Sequence, residues 1–132
     1  MKVVIDTNVV VSSIFFGGKP KEIVNLILDK KIDAYANKEI IEEYKETVDY
    51  LKNKYNGKRS NVPLQEIISY INIIETNSNI KICRDPDDDK FINCAIDSKS
   101  YYIVSGDKDL LVLKRYENIE VITISEFLKL LK

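Results

Sequence analysis

Histidine is absent from the 132-residue chain. Its absence excludes Ser-His-Asp and Cys-His nucleophilic catalysis, an imidazole general base and most zinc sites. Cysteine is nearly absent: Cys83 and Cys94 form no CxxC pair, and two thiols do not make a disulfide scaffold, so both are expected to be reduced core residues. No apolar run reaches the roughly 18 residues of a membrane-spanning helix. The N-terminal apolar stretch is interrupted by Asp6, Asn8, Ser12 and Ser13. A carboxylate inside the apolar part of a signal peptide would be costly, so a cytoplasmic protein is expected. Neither sign of charge dominates, since 20 basic and 21 acidic residues leave a net charge of −1. Bulk electrostatics therefore do not announce a nucleic-acid partner, and any such affinity must reside in local patches.

Composition and length complete these bounds. A hydrophobic fraction of 45% and a charged fraction of 31% are ordinary for a globular chain, and the aliphatic residues recur in short, punctuated runs. The length suits one domain over residues 1–132 with one core. The chemistry must come from carboxylates, hydroxyls, lysine or a metal.

The patterning alternates short strands with helices. Residues 2–5 read as a buried strand, followed by a helix capped by Thr7 or Asn8 and ended by Gly17-Gly18. A second helix begins near Pro20, and a second strand covers Asp33 to Ala36. Ile40, Ile41, Tyr44, Val48, Leu51 and Tyr55 form one stripe of a long amphipathic helix over about 38–55, ended by Gly57. Leu64, Ile67, Ile68, Ile71 and Ile74 predict a partner helix over about 63–75, the two making a hairpin. Further strands are expected at Ile80 to Cys83, Tyr101 to Ser105 and Glu120 to Thr123. Helices are expected over about 87–98, at 110–113, and after Ser125 as a cap. This alternation predicts an α/β fold with a central parallel sheet of about five strands flanked by helices.

Acidic residues stand where strands end. Asp6 follows Val3-Val4-Ile5, and Asp107 follows Ile103-Val104-Ser105-Gly106. In open α/β sheets, ligands bind beyond the carboxyl ends of the strands, so neighbouring first and fourth strands would bring these two acids together. Carboxylates gathered at one sheet edge are unfavourable unless a cation joins them, which suggests a divalent-metal site. A third cluster reads Asp85-Pro86-Asp87-Asp88-Asp89-Lys90-Phe91. Asp88 shares a helical face with Phe91, Ile92 and Ala95 and is therefore aimed at the sheet, with Asp89 about 100° around the helix. Asp85 and Asp87 fit the simpler role of acids favoured at a helix N-terminus. On the long helix, Glu43 lies closer to the apolar stripe than Glu39, Glu42 or Glu46; a glutamate so placed is usually only a solvated surface group, and the other acids are what single it out.

Together these stretches resemble the PIN domain, a family of small Rossmann-like, three-layer, metal-dependent ribonucleases. The resemblance rests on Val3-Val4-Ile5-Asp6-Thr7-Asn8-Val9, Glu42-Glu43-Tyr44, Asp85 to Phe91, and Ile103 to Leu111, and it extends over essentially the whole chain. It implies an acidic quartet of Asp6, Glu43, Asp88 and Asp107 holding one or two Mg²⁺ or Mn²⁺ ions, with Asp89 a rival for the third position. Ser105 and Asn8 would correspond to the hydroxyl and amide that orient the acids, although strand-end and helix-cap bonding would equally explain them. The implied reaction is hydrolysis of RNA phosphodiester bonds. Lys52, Lys54, Lys58 and Arg59, with Tyr50 and Tyr55 among them, are the best local patch for phosphates and stacked bases, against a blander reading as a solvated helix end. Small stand-alone members resemble the toxin halves of toxin–antitoxin pairs, which implies an antitoxin partner, and homodimers are typical of the family. Two other classes are compatible with such a sheet. One is a non-catalytic RNA-binding module, and the other is a phosphoaspartate phosphatase or receiver, for which Asp6-Thr7-Asn8 lacks a second aspartate two residues on.

Overall fold

The structure is a computed structural model, and it describes residues 1–54 and 63–132. Lys2–Ile5 form β1, and its three apolar residues, Val3, Val4 and Ile5, are all at most 1% exposed. Consecutive residues on a strand point to opposite faces, so both faces of β1 are covered, as a parallel sheet between helical layers requires. The helices α1 (Thr7–Phe15) and α2 (Gly18–Leu28) follow, then β2 (Asp33–Ala36), α3 (Lys38–Lys54) and α4 (Leu64–Ser69). After α4 come β3 (Asn72–Ile73), a 3-10 turn at Pro86–Asp88, α5 (Asp89–Ser98) and β4 (Tyr102–Val104). The chain ends with α6 (Lys108–Leu111), β5 (Arg115–Tyr116), β6 (Ile119–Ile122) and α7 (Ile124–Leu130).

The sheet order is β3-β2-β1-β4-β6-β5. All neighbours are parallel except β5, which pairs antiparallel with β6 through Arg115 with Glu120 and Tyr116 with Ile119. The fold is therefore α/β with a mostly parallel central sheet, as the alternation of elements predicts. From β1 the chain crosses to β2 on one side, and from β4 it crosses to β6 on the other. The strand order thus reverses between β1 and β4, where ligands of open α/β sheets bind. Ile5 pairs with Val104, so the residues just beyond these partners emerge side by side.

The core runs through both faces of the sheet. The amphipathic face of α5 supplies Phe91, Ile92 and Ala95, all fully buried, against β1, β2 and β4. Buried Ile40, Ile41, Tyr44 and Val48 of α3 follow the predicted stripe. The ends of that reading, Tyr55 and Gly57, lie outside the described residues.

Several local expectations are corrected. The helix expected over 63–75 ends at Ser69, because Asn72 and Ile73 pair with Tyr35 and Ala36 of β2. Ile71, Ile73 and Ile74 are β-branched and favour a strand, and the spacing of Ile71 and Ile74 from Ile67 only imitated a continuing helix. Ile80 to Cys83 form no strand; α5 side chains bind their backbone instead. Asn93 Oδ1 accepts from the Ile80 N–H at 2.7 Å, and Asp89 Oδ1 accepts from the N–H groups of Ile82 and Cys83 at 3.1 and 2.8 Å. A segment satisfied by side chains needs no neighbouring strand. At α1 the N-cap is Asp6, in extended conformation and without a side-chain cap bond, so neither Thr7 nor Asn8 caps it. Thr123, not Ser125, caps α7, in a reciprocal capping box with Glu126. Cys94 is buried and Cys83 half-buried, both free thiols. Among the described residues no helix is long and apolar enough to cross a membrane.

Candidate functional site

The register of β1 and β4 builds one side of the site. The Asp6 N–H donates to the Val104 carbonyl at 2.9 Å, which extends the β1–β4 pairing by one residue and places the Asp6 side chain at the sheet's carboxyl edge. Asp6 is only 4% exposed, and its Oδ2 accepts from the Ser105 hydroxyl at 2.6 Å. The same hydroxyl oxygen accepts the Asp107 N–H at 2.9 Å. Ser105 thus joins the ends of two strands and fixes the turn that presents Asp107. Asp107 itself accepts the Asp109 N–H and caps α6.

The other side is built by α3 and by the turn leading into α5. Asp85 accepts the Asp87 N–H and caps the 3-10 turn, so Asp85 has the local role expected of it. That turn delivers Asp88, buried, to the start of α5. Its Oδ2 is enclosed yet has no hydrogen-bond partner among the described residues. Asp89 turns away and holds the backbone of Ile82 and Cys83. On α3, Glu39, Glu42 and Glu46 are exposed while Glu43 is half-buried. Glu43 Oε1 accepts from the Thr7 hydroxyl, and Glu43 Oε2 lies 2.7 Å from the Lys90 ammonium.

Electrostatics tie these acids together. Burial raises the Asp6 pKa; the Ser105 hydrogen bond opposes that rise, and the charges of Asp107 and Glu43 add to it. Asp88 is pushed up to about 7, first by burial and then by the charges of Asp107, Asp6 and Asp85, with Lys90 opposing. For Lys90, burial favours the neutral amine, but Glu43 and Asp87 outweigh it and the pKa is raised. The charges of Asp107 and Asp6 therefore disfavour ionisation of Asp88, and that of Asp107 disfavours ionisation of Asp6. Among the described residues no group of three or more Asp, Glu or Cys side chains is arranged so as to hold a metal ion. The donor set nevertheless suits a hard divalent cation: its atoms are carboxylate oxygens, one of them buried and unpartnered, and added positive charge would relieve both burial and mutual repulsion.

Some of the expected residues lie elsewhere. Asn8 is exposed, and it is Thr7, one residue earlier, that touches an acid. Lys52 pairs with Asp49 at 3.9 Å and, like Lys54, sits at the far end of α3. Nine residues separate Lys52 from Glu43, or roughly 14 Å along a helix axis. Lys58, Arg59 and Tyr55 lie outside the described residues.

Sequence reasoning missed Thr7, Lys90, Tyr44 and Arg84. Lys90 carried a signal, since it lies three residues after Asp87 and directly precedes the apolar positions of α5. Arg84 pairs with Asp109 at 2.8 Å and links the segment before Asp88 to the helix after Asp107. Tyr44 is 1% exposed and its hydroxyl donates to the Ile5 carbonyl, tying α3 to the strand end that carries Asp6. Burial and the charge of Asp6 hold its pKa well above the usual phenol value, so it remains a donor. Tyr44→Phe is expected to cost about 1–2 kcal/mol by stranding that carbonyl. The change would appear as a lower urea midpoint at constant slope, and an unchanged midpoint would refute it.

Comparison with known proteins gives the family. The family profile described as "PIN domain" matches residues 2–109. The uncharacterized protein MJ1680 of Methanocaldococcus jannaschii is 41% identical over 119 residues, covering 86% of this chain and 76% of that protein. No solved structure is a significant match. With the profile spanning most of the sequence and the acids gathered at the reversal of strand order, the chain belongs to the PIN-domain family, whose members are generally nucleases.

Proposed function

We propose that this protein is a metal-dependent ribonuclease whose acidic site comprises Asp6, Glu43, Asp88 and Asp107. The observation that carries the reading is the buried, unpartnered Asp88 Oδ2, set in the field of Asp6 and Asp107. A buried carboxylate oxygen without a donor is costly, and a cation is the partner such an oxygen suits. Asp6, Asp88 and Asp107 would hold Mg²⁺ or Mn²⁺, the usual divalent ions for oxygen ligands of this kind. When bound, the ion supplies the positive charge that activates water and offsets charge gathering on the phosphate.

The chain's own groups do the positioning. Ser105 donates to Asp6 and holds its carboxylate at the strand end, while its oxygen steadies the Asp107 backbone. Thr7 and Lys90 fix Glu43 from two sides. RNA would approach from the end of α3 that carries Lys52, Lys54 and the exposed Tyr50, with Lys58 and Arg59 beyond the described residues. The burial of Asp6 weighs against the phosphoaspartate alternative, because an attacking carboxylate must reach phosphate in line. Within this reading the protein is the toxin of a toxin–antitoxin pair and a homodimer. A small partner gene alongside its own, co-purification with that product, and a doubled mass in light scattering are the expected signs.

The test is cleavage of a defined RNA panel under Mg²⁺ and under Mn²⁺, with Asp6, Glu43, Asp88, Asp89 and Asp107 each changed to its amide. Four variants are expected to lose cleavage. Asp89→Asn keeps an acceptor for the Ile82 and Cys83 amides and is expected to stay within roughly tenfold of wild type. Unchanged activity in all five would defeat the proposal. Binding without turnover by the wild-type protein would favour the non-catalytic module instead.

A further inference from the structure

Lysine is rarely enclosed in a protein interior, yet the Lys90 side chain is only 7% exposed. Its ammonium lies 2.7 Å from Glu43 Oε2 and 3.2 Å from Asp87 Oδ2, and it donates to the Asp87 carbonyl at 2.7 Å. The other Glu43 oxygen accepts from Thr7. Glu43 therefore has both oxygens engaged by donors of the chain itself, whereas Asp88 keeps one oxygen with none among the described residues. The four acids divide accordingly: Asp6, Asp88 and Asp107 on one side, and Glu43, already neutralised, on the other. Outside Glu43 the surface forms a hollow of about 230 Å³ lined by Glu39, Glu42, Glu43, Glu46, Asp87 and Lys90. Among the described residues Lys90 is the one cation in that lining, facing five carboxylates.

We infer that Lys90 is a built-in cation occupying the electrostatic place of a second metal ion, so that the site takes a single divalent ion at Asp6, Asp88 and Asp107. The inference rests on the metal-site reading above and adds to it the number of ions and the role of Lys90. An ammonium in contact with a carboxylate away from bulk water offsets its charge much as a metal does. Being covalently attached, it pays no cost of association and does not exchange with solvent ions. A second divalent ion drawn to Glu43 would have to displace Lys90 or settle beside it against like charge. Glu43 then acts as an outer carboxylate, held in place by Lys90 and Thr7. Lys90 is its positioning residue.

The test counts ions and does not use activity. Metal-free protein is titrated with Mn²⁺ while free Mn²⁺ is read by electron paramagnetic resonance, and circular dichroism verifies the fold of every variant. The wild type is expected to bind one Mn²⁺. Lys90→Met exposes the Glu43 charge and is expected to bind two. The double variant Glu43→Gln with Lys90→Met removes both members of the pair and is expected to return to one. Should Lys90→Met not fold, Lys90→Gln removes the charge while keeping an N–H donor on a side chain one atom shorter, and it carries the same expectation of two. Two ions in the wild type, or one in the folded single variant, would overturn the inference while leaving the metal site standing. No bound Mn²⁺ in the wild type would remove the metal site itself, and the inference with it.

Discussion

Asp6→Asn is expected to lose RNA cleavage by roughly a thousandfold, about 4 kcal/mol of transition-state stabilisation at 1.36 kcal/mol per tenfold. The same variant is expected to melt at a higher temperature than wild type at pH 8. The two effects have one cause. Asp6 is held buried beside Asp107 and Glu43, and its raised pKa means that folding penalises its ionised form. A folded-state pKa above the unfolded value makes the folded protein bind more protons than the unfolded chain between the two values. Stability is therefore highest below the unfolded pKa of about 3.8 and falls as pH rises through the folded pKa. Above the folded pKa that cost is fully present, and an amide removes it. The amide oxygen of the variant can still accept from Ser105, so the β1–β4 junction survives. Loss of activity with loss of folding would show that Asp6 is structural, and retained activity would show that it is not part of the site. The informative pairing is an inactive enzyme that is more stable.

The second large effect belongs to Asp88. Its carboxyl is pushed up to about 7, the burial of the side chain being the first cause and the charges of Asp107, Asp6 and Asp85 the next. By the same sign, wild-type stability should decline from about pH 4 to pH 7 as this group is forced to ionise. Asp88→Asn should decline less, and by pH 8 it should be the more stable protein by roughly 1–3 kcal/mol, with a melting temperature several degrees higher. Around pH 4 the difference should nearly vanish, because both proteins then carry a neutral group. Melting curves in chelator across that range make the comparison. Parallel curves for the two proteins would mean that Asp88 is not the strained carboxyl. Adding Mn²⁺ at pH 8 should reverse the order, since an ion that binds only the folded wild type raises its melting temperature by mass action. Cleavage should likewise rise as pH climbs through 7, because an ion competes with a proton for the same oxygen.

These effects meet in one balance. The protein gathers carboxylates at the point where its strand order reverses, and it tolerates them by partial neutralisation: Lys90 for Glu43, Ser105 for Asp6, and a raised pKa for Asp88. Stability given up at a site in this way is expected where function needs charges that the fold alone would not assemble. Arg84 and Asp109 add a surface link, tying the segment before Asp88 to the helix after Asp107. Both partners are about half exposed, so the pair steadies the geometry more than it contributes to stability.

Patterns local to the chain were enough for much of this. Short β-branched runs separated by helical periodicity determined an α/β protein with a parallel sheet, because strand and helix periods differ and crossovers between parallel strands need helices. The absence of histidine excluded imidazole chemistry and left carboxylates, hydroxyls, lysine or a metal. Helical spacing placed Glu43 nearest the apolar stripe among four glutamates, with the other acids singling it out, and gave Asp88 a sheet-facing position, since both are questions of angle around one helix. Tertiary structure decided whatever depended on what lies opposite. Strand β3 exists because β2 offers Asn72 and Ile73 a partner, and Ile80 to Cys83 form no strand because Asn93 and Asp89 satisfy their backbone first. Asp89 is drawn off by that same loop, a contact unreadable from the run of aspartates. Sequence reasoning assigns Lys90 no role; the packing of α3 beside α5 makes Glu43 its partner across 47 positions of sequence. Periodicity along the chain records which face of an element is buried, but only packing brings a particular charge to the one that balances it.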